Sequence, residues 1–189
     1  IEREKKLGLG TAYIYGFKWG LERDYQYFFE MDADFSHPPV DLLRLYKACA
    51  EDGADVAIGS RYVPGGGVVN WPKDRLILSK GASLYTRIIT GMPVMDPTAG
   101  FICYARPVLE TLDLDKIRFV GYAFQIGMKY LAYKAGFTLK EVSIQFVERE
   151  FGVSKMHSGI IKEAIIGVLN LRLSSVFKPR RMKAKSTTE

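Results

Sequence analysis

Short strand-like segments alternate with longer segments of helical spacing along most of this chain. Gln26 to Met31 is a short aromatic-rich run and Asp55 to Ser60 a second strand-like segment, and apolar residues recur at helical spacing before and after them. Strands that alternate with helices predict an α/β fold with a mostly parallel sheet flanked by helices. In such sheets ligands bind beyond the carboxyl ends of the strands, so functional residues are expected there.

The same patterns divide the rest of the chain into elements. Thr138 to Val147 alternates like one half-buried strand, and Tyr62 to Trp71, with three consecutive glycines, is predicted to be a flexible connection able to close over a ligand. Further strand and helix predictions follow from the same criteria. Helices are predicted over residues 8–21, 38–53, 73–90, 122–135 and 158–175, with a short helix from residue 107 and a strand over 101–105.

Composition limits the functional classes. The chain has 189 residues, of which 48% are hydrophobic, enough for one domain with a sizeable core. Cys49 and Cys103 lack metal-ligand spacing, which favours two core thiols in a reducing compartment. The net charge is +6, and its excess lies in the C-terminal tail. Because no aromatic residues are interleaved with those tail cations, no nucleic-acid partner is expected. The tail cations are Lys178, Arg180, Arg181, Lys183 and Lys185.

Two carboxylates follow the first predicted strand. Asp32 and Asp34 are two residues apart, so in an extended chain they point to the same side with their Cα atoms roughly 7 Å apart. Mg²⁺ and Mn²⁺ favour a few carboxylates completed by water and phosphate oxygens, so this pair suits a metal–diphosphate complex. The alternative is that Asp34 caps a turn and Asp32 is solvated. Ser36 and His37 are close enough to add a ligand or a supporting hydrogen bond.

Cationic side chains at predicted strand ends and loops match this chemistry. Arg61 ends a strand before the glycine-rich connection, and Arg75, Arg149 and Lys155 lie in or beside other loops and element ends. Arginine binds phosphate oxygens in a bidentate fork and lysine adds a compact charge, so the set could neutralise several phosphates. Each of them could equally be an ordinary surface cation.

Four ordered motifs carry a resemblance to a known family. They are Asp32-Ala33-Asp34-Phe35-Ser36-His37-Pro38-Pro39, Gly59-Ser60-Arg61-Tyr62-Val63, Asp96-Pro97-Thr98-Ala99-Gly100-Phe101, and Arg149 followed by Ser154-Lys155. Together they resemble the polyprenyl (dolichyl) phosphate mannosyltransferases of glycosyltransferase family 2, over about Lys6 to Val168. The resemblance implies a GT-A-like, Rossmann-related fold, a bound Mg²⁺ or Mn²⁺, and inverting transfer of mannose from GDP-mannose to dolichyl or polyprenyl phosphate.

The resemblance also implies roles by position. It makes Asp32, Asp34 and Ser36 metal ligands, and Asp32, Asp34 and Arg61 catalytic residues. The remaining roles concern the two substrates. The donor-binding residues are Asp32, Ala33, Asp34, Gln125, Arg149 and Lys155, and those around the acceptor phosphate are Arg61, Arg75 and Ser79.

The chain departs from the family pattern in two places. The family begins with a Pro-x-Tyr-Asn-Glu-like loop and an Asp-Asp-Gly-Ser-like segment that hold the nucleotide, and this sequence contains neither. We therefore expect residues 1–157 to be a GT-A catalytic domain without its N-terminal part, lacking part of the donor pocket. Gly127 stands where the family has glutamate, and glycine inside a helix costs up to about 1 kcal/mol relative to alanine.

The end of the chain suggests a location. Residues 158–177 are expected to form an amphipathic helix and 178–189 a basic, disordered tail, and no segment reaches the about 20 apolar residues of a membrane span. The helix could be a core helix or, with the tail, could lie on a membrane surface. The resulting expectation is a cytoplasmic protein, peripheral on the inner face of the membrane. The alternatives are a related transferase with another sugar donor and a non-catalytic membrane-surface domain.

Overall fold

A computed structural model describes residues 2, 7–117, 122–148 and 158–173. The predicted helices and most predicted strands form close to their expected bounds. The helices are α1 (Leu9–Leu21), α2 (Asp41–Ala50), α3 (Lys73–Thr90), α4 (Arg106–Thr111), α5 (Tyr122–Lys134) and α6 (Ser158–Leu173), with a 3₁₀ turn at Leu114–Lys116. The strands are β1 (Tyr27–Glu30), β2 (Val56–Ser60), β3 (Gly67–Val69), β4 (Ile102–Ala105), β5 (Leu139–Ser143) and β6 (Gln145–Val147).

The main sheet has the strand order β1-β4-β2-β5. β2 and β5 are parallel, but β4 runs antiparallel to both β1 and β2, so the sheet is mixed. The connection between β2 and β4 explains why β4 is antiparallel. The chain returns through α3 to the edge of the sheet where β2 ends, and Ile58 near that end pairs with Ile102 at the start of β4. β4 must therefore run back in the opposite direction.

Helices cover both faces of this sheet. Along β4, Ile102 and Tyr104 belong to one buried cluster with Phe17 of α1 and Phe124 of α5. Cys103 points to the opposite cluster, which is built on α2. Because both faces are buried, the strand is apolar throughout, although its side chains alternate between faces. Cys49 and Cys103 are both buried and free, as expected for core thiols.

The strand predicted over residues 138–147 is divided in two. β5 pairs with β2 and β6 pairs with β3, and both pairings are parallel. At the division Ile144 donates its N–H to the Ser60 carbonyl at 3.0 Å and accepts from the Gly67 N–H at 3.0 Å. The connection predicted to be wholly flexible thus contains β3. As a result, β6 reaches the loop that follows Asp34, where the Val147 N–H donates to the Ser36 carbonyl at 3.1 Å.

One glycine of the connection is required by a close approach of two backbones. A Cβ on Gly66 would lie 2.6 Å from the Ser60 carbonyl oxygen and 3.0 Å from the Arg61 carbonyl carbon. We expect Gly66→Ala to cost about 1–3 kcal/mol of stability, because the connection must shift away from β2. Urea unfolding measures this.

A matched control is available on α3. Gly81 is exposed and a Cβ there meets nothing within 4 Å, so Gly81→Ala is expected to stabilise by about 0.5–1 kcal/mol. Equal unfolding midpoints for the Gly66→Ala variant and the parent would contradict the tight approach.

α6 packs against α5 and α3. Val168 and Leu171 join the buried cluster of α1 and α5, and the Tyr85 hydroxyl on α3 donates to the Ile165 carbonyl at 3.2 Å. The side of α6 that faces away from these contacts has exposed apolar residues. They are Ile165, Ile166, Leu169 and Leu173. Across the ranges that the structure describes, no helix combines the length and apolar character needed to span a bilayer.

Candidate active site

The two aspartates lie on a short loop after β1, here called the aspartate loop (residues 31–37). Asp34 Oδ1 accepts hydrogen bonds from the Ser36 N–H at 3.1 Å and the Ser36 hydroxyl at 2.6 Å. Phe35 between them has φ 61°, a left-handed conformation that is uncommon for a non-glycine residue. The loop is therefore a tight turn rather than the extended segment expected from the sequence. Ser36 is fully buried and orients the Asp34 carboxylate.

This loop fits a hard divalent cation. Asp32 and Asp34 are half-buried and supply carboxylate oxygens, the ligands that Mg²⁺ and Mn²⁺ prefer. Within the described part of the chain, no group of three or more His, Cys, Asp or Glu residues could form a metal site. A cation held by the two aspartates would therefore complete its coordination with oxygens from substrate or water, which is the arrangement the sequence predicts.

His37, the last residue of the aspartate loop, packs that loop against two aromatic rings. Its ring lies 4.8 Å from Phe101 and 5.1 Å from Phe146, measured between centroids, and the residue is buried. Burial lowers the pKa of His37 to about 4, against the opposing effect of the Asp34 charge. The imidazole is therefore neutral at physiological pH and contributes packing between the loop and β6.

Arg61 is held by a turn before β4, here called the arginine-binding turn (residues 95–100). Its Nε donates to Asp96 Oδ2 and its Nη2 to Asp96 Oδ1, both at 2.7 Å. The Arg61 N–H also reaches Asp96 Oδ2 at 3.1 Å, and Nη2 reaches the Thr98 hydroxyl at 2.9 Å. The sequence predicts that the Arg61 guanidinium binds a phosphate. In the structure it forms a bidentate ion pair with the Asp96 carboxylate, which is fully buried.

The ion pair with Arg61 changes the pKa of Asp96. Burial alone would raise the pKa of Asp96, but the charge and hydrogen bonds of Arg61 outweigh burial and hold that pKa below its usual value. Both groups are therefore ionised at neutral pH. The pair fixes Arg61 at the carboxyl end of β2, next to the aspartate loop.

An aromatic cluster (Tyr62, Trp71 and Phe146) surrounds Arg61. The Arg61 guanidinium carbon lies 5.2, 5.4 and 5.6 Å from the centroids of these three rings. Arg75 also rests on Trp71, with its guanidinium carbon 3.9 Å from the ring centroid. The same indole therefore contacts both arginines predicted at the acceptor phosphate.

The first turns of α3 carry the rest of the predicted acceptor site. Arg75 forms an ion pair with Glu148, which follows β6. The Ser79 hydroxyl accepts a hydrogen bond from the Tyr62 hydroxyl at 2.6 Å. Arg61, Arg75 and Ser79 are thus assembled around Tyr62 and Trp71, although they are spread over nineteen positions of sequence.

Other predicted site residues are placed differently. Gln125 is buried on α5 beside Glu30 and Gly100, beneath the two loops. Ala33 is exposed on the aspartate loop, and Arg149 and Lys155 lie outside the described residues.

Sequence reasoning assigned no role to several residues that build this site. Asp96 begins one of the four family motifs, and that position could have indicated a role in the site. No sequence pattern indicates such a role for Trp71 or Glu148. Their contacts with Arg61 and Arg75 join segments far apart in the chain, so local patterns do not reveal them.

Comparison with known proteins identifies the class of protein to which this fold belongs. Residues 1–113 match the family model described as "Glycosyl transferase family 2". The chain belongs to glycosyltransferase family 2, as its motifs predicted.

Two relatives share much of the sequence. A polyprenol monophosphomannose synthase of Mycolicibacterium smegmatis is 52% identical over 89% of this chain and 63% of its own length. An undecaprenyl-phosphate mannosyltransferase of Micrococcus luteus is 46% identical over 97% of this chain and 74% of its own length. The chain therefore spans 63% of the length of the first relative and 74% of the length of the second.

Solved structures share the fold. A glucosyl-3-phosphoglycerate synthase from Mycobacterium tuberculosis, in complex with Mn²⁺, UDP-glucose and glycerol 3-phosphate, superposes with a TM-score of 0.59 at 16% identity, over 88% of this chain and 55% of that one. The same enzyme with Mn²⁺, UDP and phosphoglyceric acid gives a TM-score of 0.61 at 15% identity, over 89% of this chain and 55% of that one. The prediction of a GT-A-like α/β fold is confirmed, with the antiparallel β4 as its added detail.

Proposed function

We propose that this chain is the catalytic portion of an inverting transferase that moves mannose from GDP-mannose to a polyprenyl or dolichyl phosphate. The observation that carries the proposal is the meeting of an aspartate loop and two arginines at one edge of the sheet. The names of the two relatives, both of which join mannose to a polyprenyl phosphate, support the same reaction.

The donor belongs on the aspartate loop in this proposal. Asp32, Asp34 and Ser36 would hold Mg²⁺ or Mn²⁺ with the donor diphosphate, and Ala33 would contact the donor through its backbone. When bound, the metal supplies positive charge that stabilises the departing nucleoside diphosphate. Gln125, Arg149 and Lys155 complete the proposed donor contacts.

The acceptor phosphate belongs beside Arg61, Arg75 and Ser79. A lipid phosphate is already anionic near neutral pH, so it attacks the anomeric carbon without a general base. One acceptor oxygen forms the new bond to carbon from the face opposite the leaving group. The bond from carbon to the donor diphosphate breaks, and its electron pair stays on the diphosphate. The chain's residues contribute positioning and charge neutralisation.

The direct test is transfer of radiolabelled mannose from GDP-mannose to a short polyprenyl phosphate, with and without Mn²⁺. It compares this chain with a version extended upstream to the length of its relatives. Metal-dependent transfer by the extended version supports the proposal. Transfer only from another nucleotide sugar identifies a related transferase, and vesicle binding without transfer from any donor identifies a non-catalytic surface domain.

We further propose that the protein lies on the inner, cytoplasmic face of a membrane. α3 has an inverted pattern: Ser83, Thr86 and Thr90 face inward and are buried, whereas Ile77 and Ile88 are 72% and 71% exposed. The exposed side of the adjoining α6 is apolar as well. Because Arg75 and Ser79 are on α3, this surface would bring a lipid phosphate to the site, and the basic tail would add attraction to anionic headgroups.

A charge on this surface is expected to weaken membrane binding. Burying one isoleucine side chain is worth about 1.5–3 kcal/mol, so Ile77→Glu with Ile88→Glu should reduce binding to anionic vesicles at least about tenfold. Vesicle co-sedimentation measures the effect. Leu43→Glu on α2 is the control, since Leu43 is 64% exposed but lies on a different helix. Equal losses in both variants would assign the binding to general charge rather than to α3.

A further inference from the structure

A fully buried lysine contacts the arginine-binding turn. Lys129 of α5 has no exposed surface, and its Nζ donates to the Ala99 carbonyl at 2.6 Å. A buried ammonium is costly unless it is paired and hydrogen-bonded. Burial lowers the pKa of Lys129 to about 8, and the negative charges of Glu30 and Asp96 oppose that shift. The lysine is therefore mostly charged near neutral pH.

One of the acidic residues whose charge acts on Lys129 is Glu30, in the strand that precedes the aspartate loop. Glu30 is fully buried, ends β1, and precedes Asp32 by two residues. Burial raises the pKa of Glu30 to about 7, and the Lys129 charge is the main opposing influence, ahead of Gln125 and Tyr104. Neither carboxylate oxygen makes a hydrogen bond of normal geometry with the described residues. The Lys129 charge therefore favours the ionised form of Glu30.

The other contact belongs to the arginine-binding turn. Glu141 of β5 accepts the two N–H groups at the start of this turn at 2.7 and 2.9 Å. Lys129 holds the Ala99 carbonyl toward its other end. Between these two anchors, Asp96 takes the Arg61 fork. The position of Arg61 thus depends on a turn fixed by charged groups from β5 and α5.

We propose that Lys129 is a positioning residue, which fixes the arginine-binding turn through its hydrogen bond to the Ala99 carbonyl. The inference rests on the proposed function, in which Arg61, held by the arginine-binding turn, lies beside the acceptor phosphate. Lys129 is buried and acts through the arginine-binding turn. A displacement of a substrate-positioning group by about 1 Å can cost about 10²-fold in rate, so a residue that fixes the position of Arg61 affects turnover.

The test uses variants of the version extended to the length of its relatives. Lys129→Met leaves Glu30 buried without its counter-charge and is expected to destabilise the fold. Glu30→Gln combined with Lys129→Met removes both charges, which restores the charge balance but not the hydrogen bond to Ala99. Lys134→Met is the matched control, because Lys134 is exposed in the last turn of the same helix.

We expect the double variant to melt within a few degrees of the parent and to lose at least tenfold in kcat per folded molecule. The KM for a short polyprenyl phosphate should rise, whereas the KM for the nucleotide sugar should not change. A purely structural role would lower activity only in proportion to the folded fraction. A double variant with parental kcat and acceptor KM would show that Lys129 serves charge balance alone and would overturn the proposal.

A second measurement needs no turnover. Hydrogen exchange of the backbone amides at Arg61 and in the arginine-binding turn should become faster in the double variant and stay unchanged in Lys134→Met. If these amides exchanged at the parental rate in the double variant, the proposed positioning role of Lys129 would be overturned. If the parent transfers no sugar from any donor, the proposed function fails, and the exchange measurement by itself then decides whether Lys129 holds the turn.

Discussion

Replacing Asp32 or Asp34 with asparagine is expected to reduce sugar transfer by about 10³-fold while the protein stays folded. Asparagine keeps the size of the side chain and one oxygen acceptor, so the hydrogen bonds from Ser36 to position 34 can persist. It removes the negative charge that a hard divalent cation requires. The measurement is the initial rate of mannose transfer at saturating donor, acceptor and Mn²⁺, alongside thermal unfolding.

The matched control is Asp24→Asn, since Asp24 is exposed and precedes β1 rather than following it. We expect parental activity from this variant. If Asp32→Asn and Asp34→Asn both kept more than about a tenth of the parental rate, the aspartate loop would not be the donor site. Loss of folding in either variant would be visible in the melting curve and would separate a structural effect from a chemical one.

The largest expected effect on stability comes from Asp96→Asn. The variant leaves the Arg61 guanidinium, whose side chain is 10% exposed, without the carboxylate that accepts its fork. Removing one partner of a buried ion pair costs about 3–5 kcal/mol, because the remaining charge is uncompensated. Urea unfolding of parent and variant measures the difference. A loss below about 1 kcal/mol would show that the pair contributes little.

An exposed ion pair provides the comparison. Lys140 and Asp52 are 45% and 51% exposed, and their charged atoms are 2.7 Å apart. Solvent screening limits such pairs to about 0–1 kcal/mol, so Asp52→Asn is expected to unfold nearly as the parent does. The contrast between the two substitutions isolates the effect of burial.

The pH dependence of the Asp96 effect has a defined sign. The pKa of Asp96 is lower in the folded protein than in the unfolded chain. The stability that the pair contributes is therefore complete above the unfolded pKa of about 4 and is lost as the pH falls through the folded value. The difference in unfolding free energy between parent and Asp96→Asn should narrow below about pH 4. A constant difference at lower pH would contradict an ionic contribution.

The two arginines show where sequence reasoning stopped. Arg61 and Arg75 were identified as phosphate-binding candidates from their positions at element ends, and both do lie against Trp71. Their acidic partners were not identified. Asp96 is 35 positions from Arg61 and Glu148 is 73 positions from Arg75, and no periodicity relates residues at such separations.

The direction of β4 was also beyond the sequence pattern. Its apolar residues predict a buried strand equally well for either direction, because the side-chain period is the same in both. The direction of β4 is shown by its register with β2, in which Val56, Ala57 and Ile58 pair with Tyr104, Cys103 and Ile102 in reverse order. The split between β5 and β6 is similar, since the alternation continues through Ile144 while the hydrogen bonds change partner there.

The sequence by itself determined the α/β alternation, the approximate bounds of the helices, the family, and the acidic and basic residues at the strand ends. These features are local, because helical and strand periods and short motifs are written in neighbouring residues. The tertiary structure decided the antiparallel β4, the ion pair of Arg61 with Asp96, and the burial of Lys129 against the Ala99 carbonyl. Those features arise from packing between distant segments, where burial turns an ordinary charge into one that must find a specific partner.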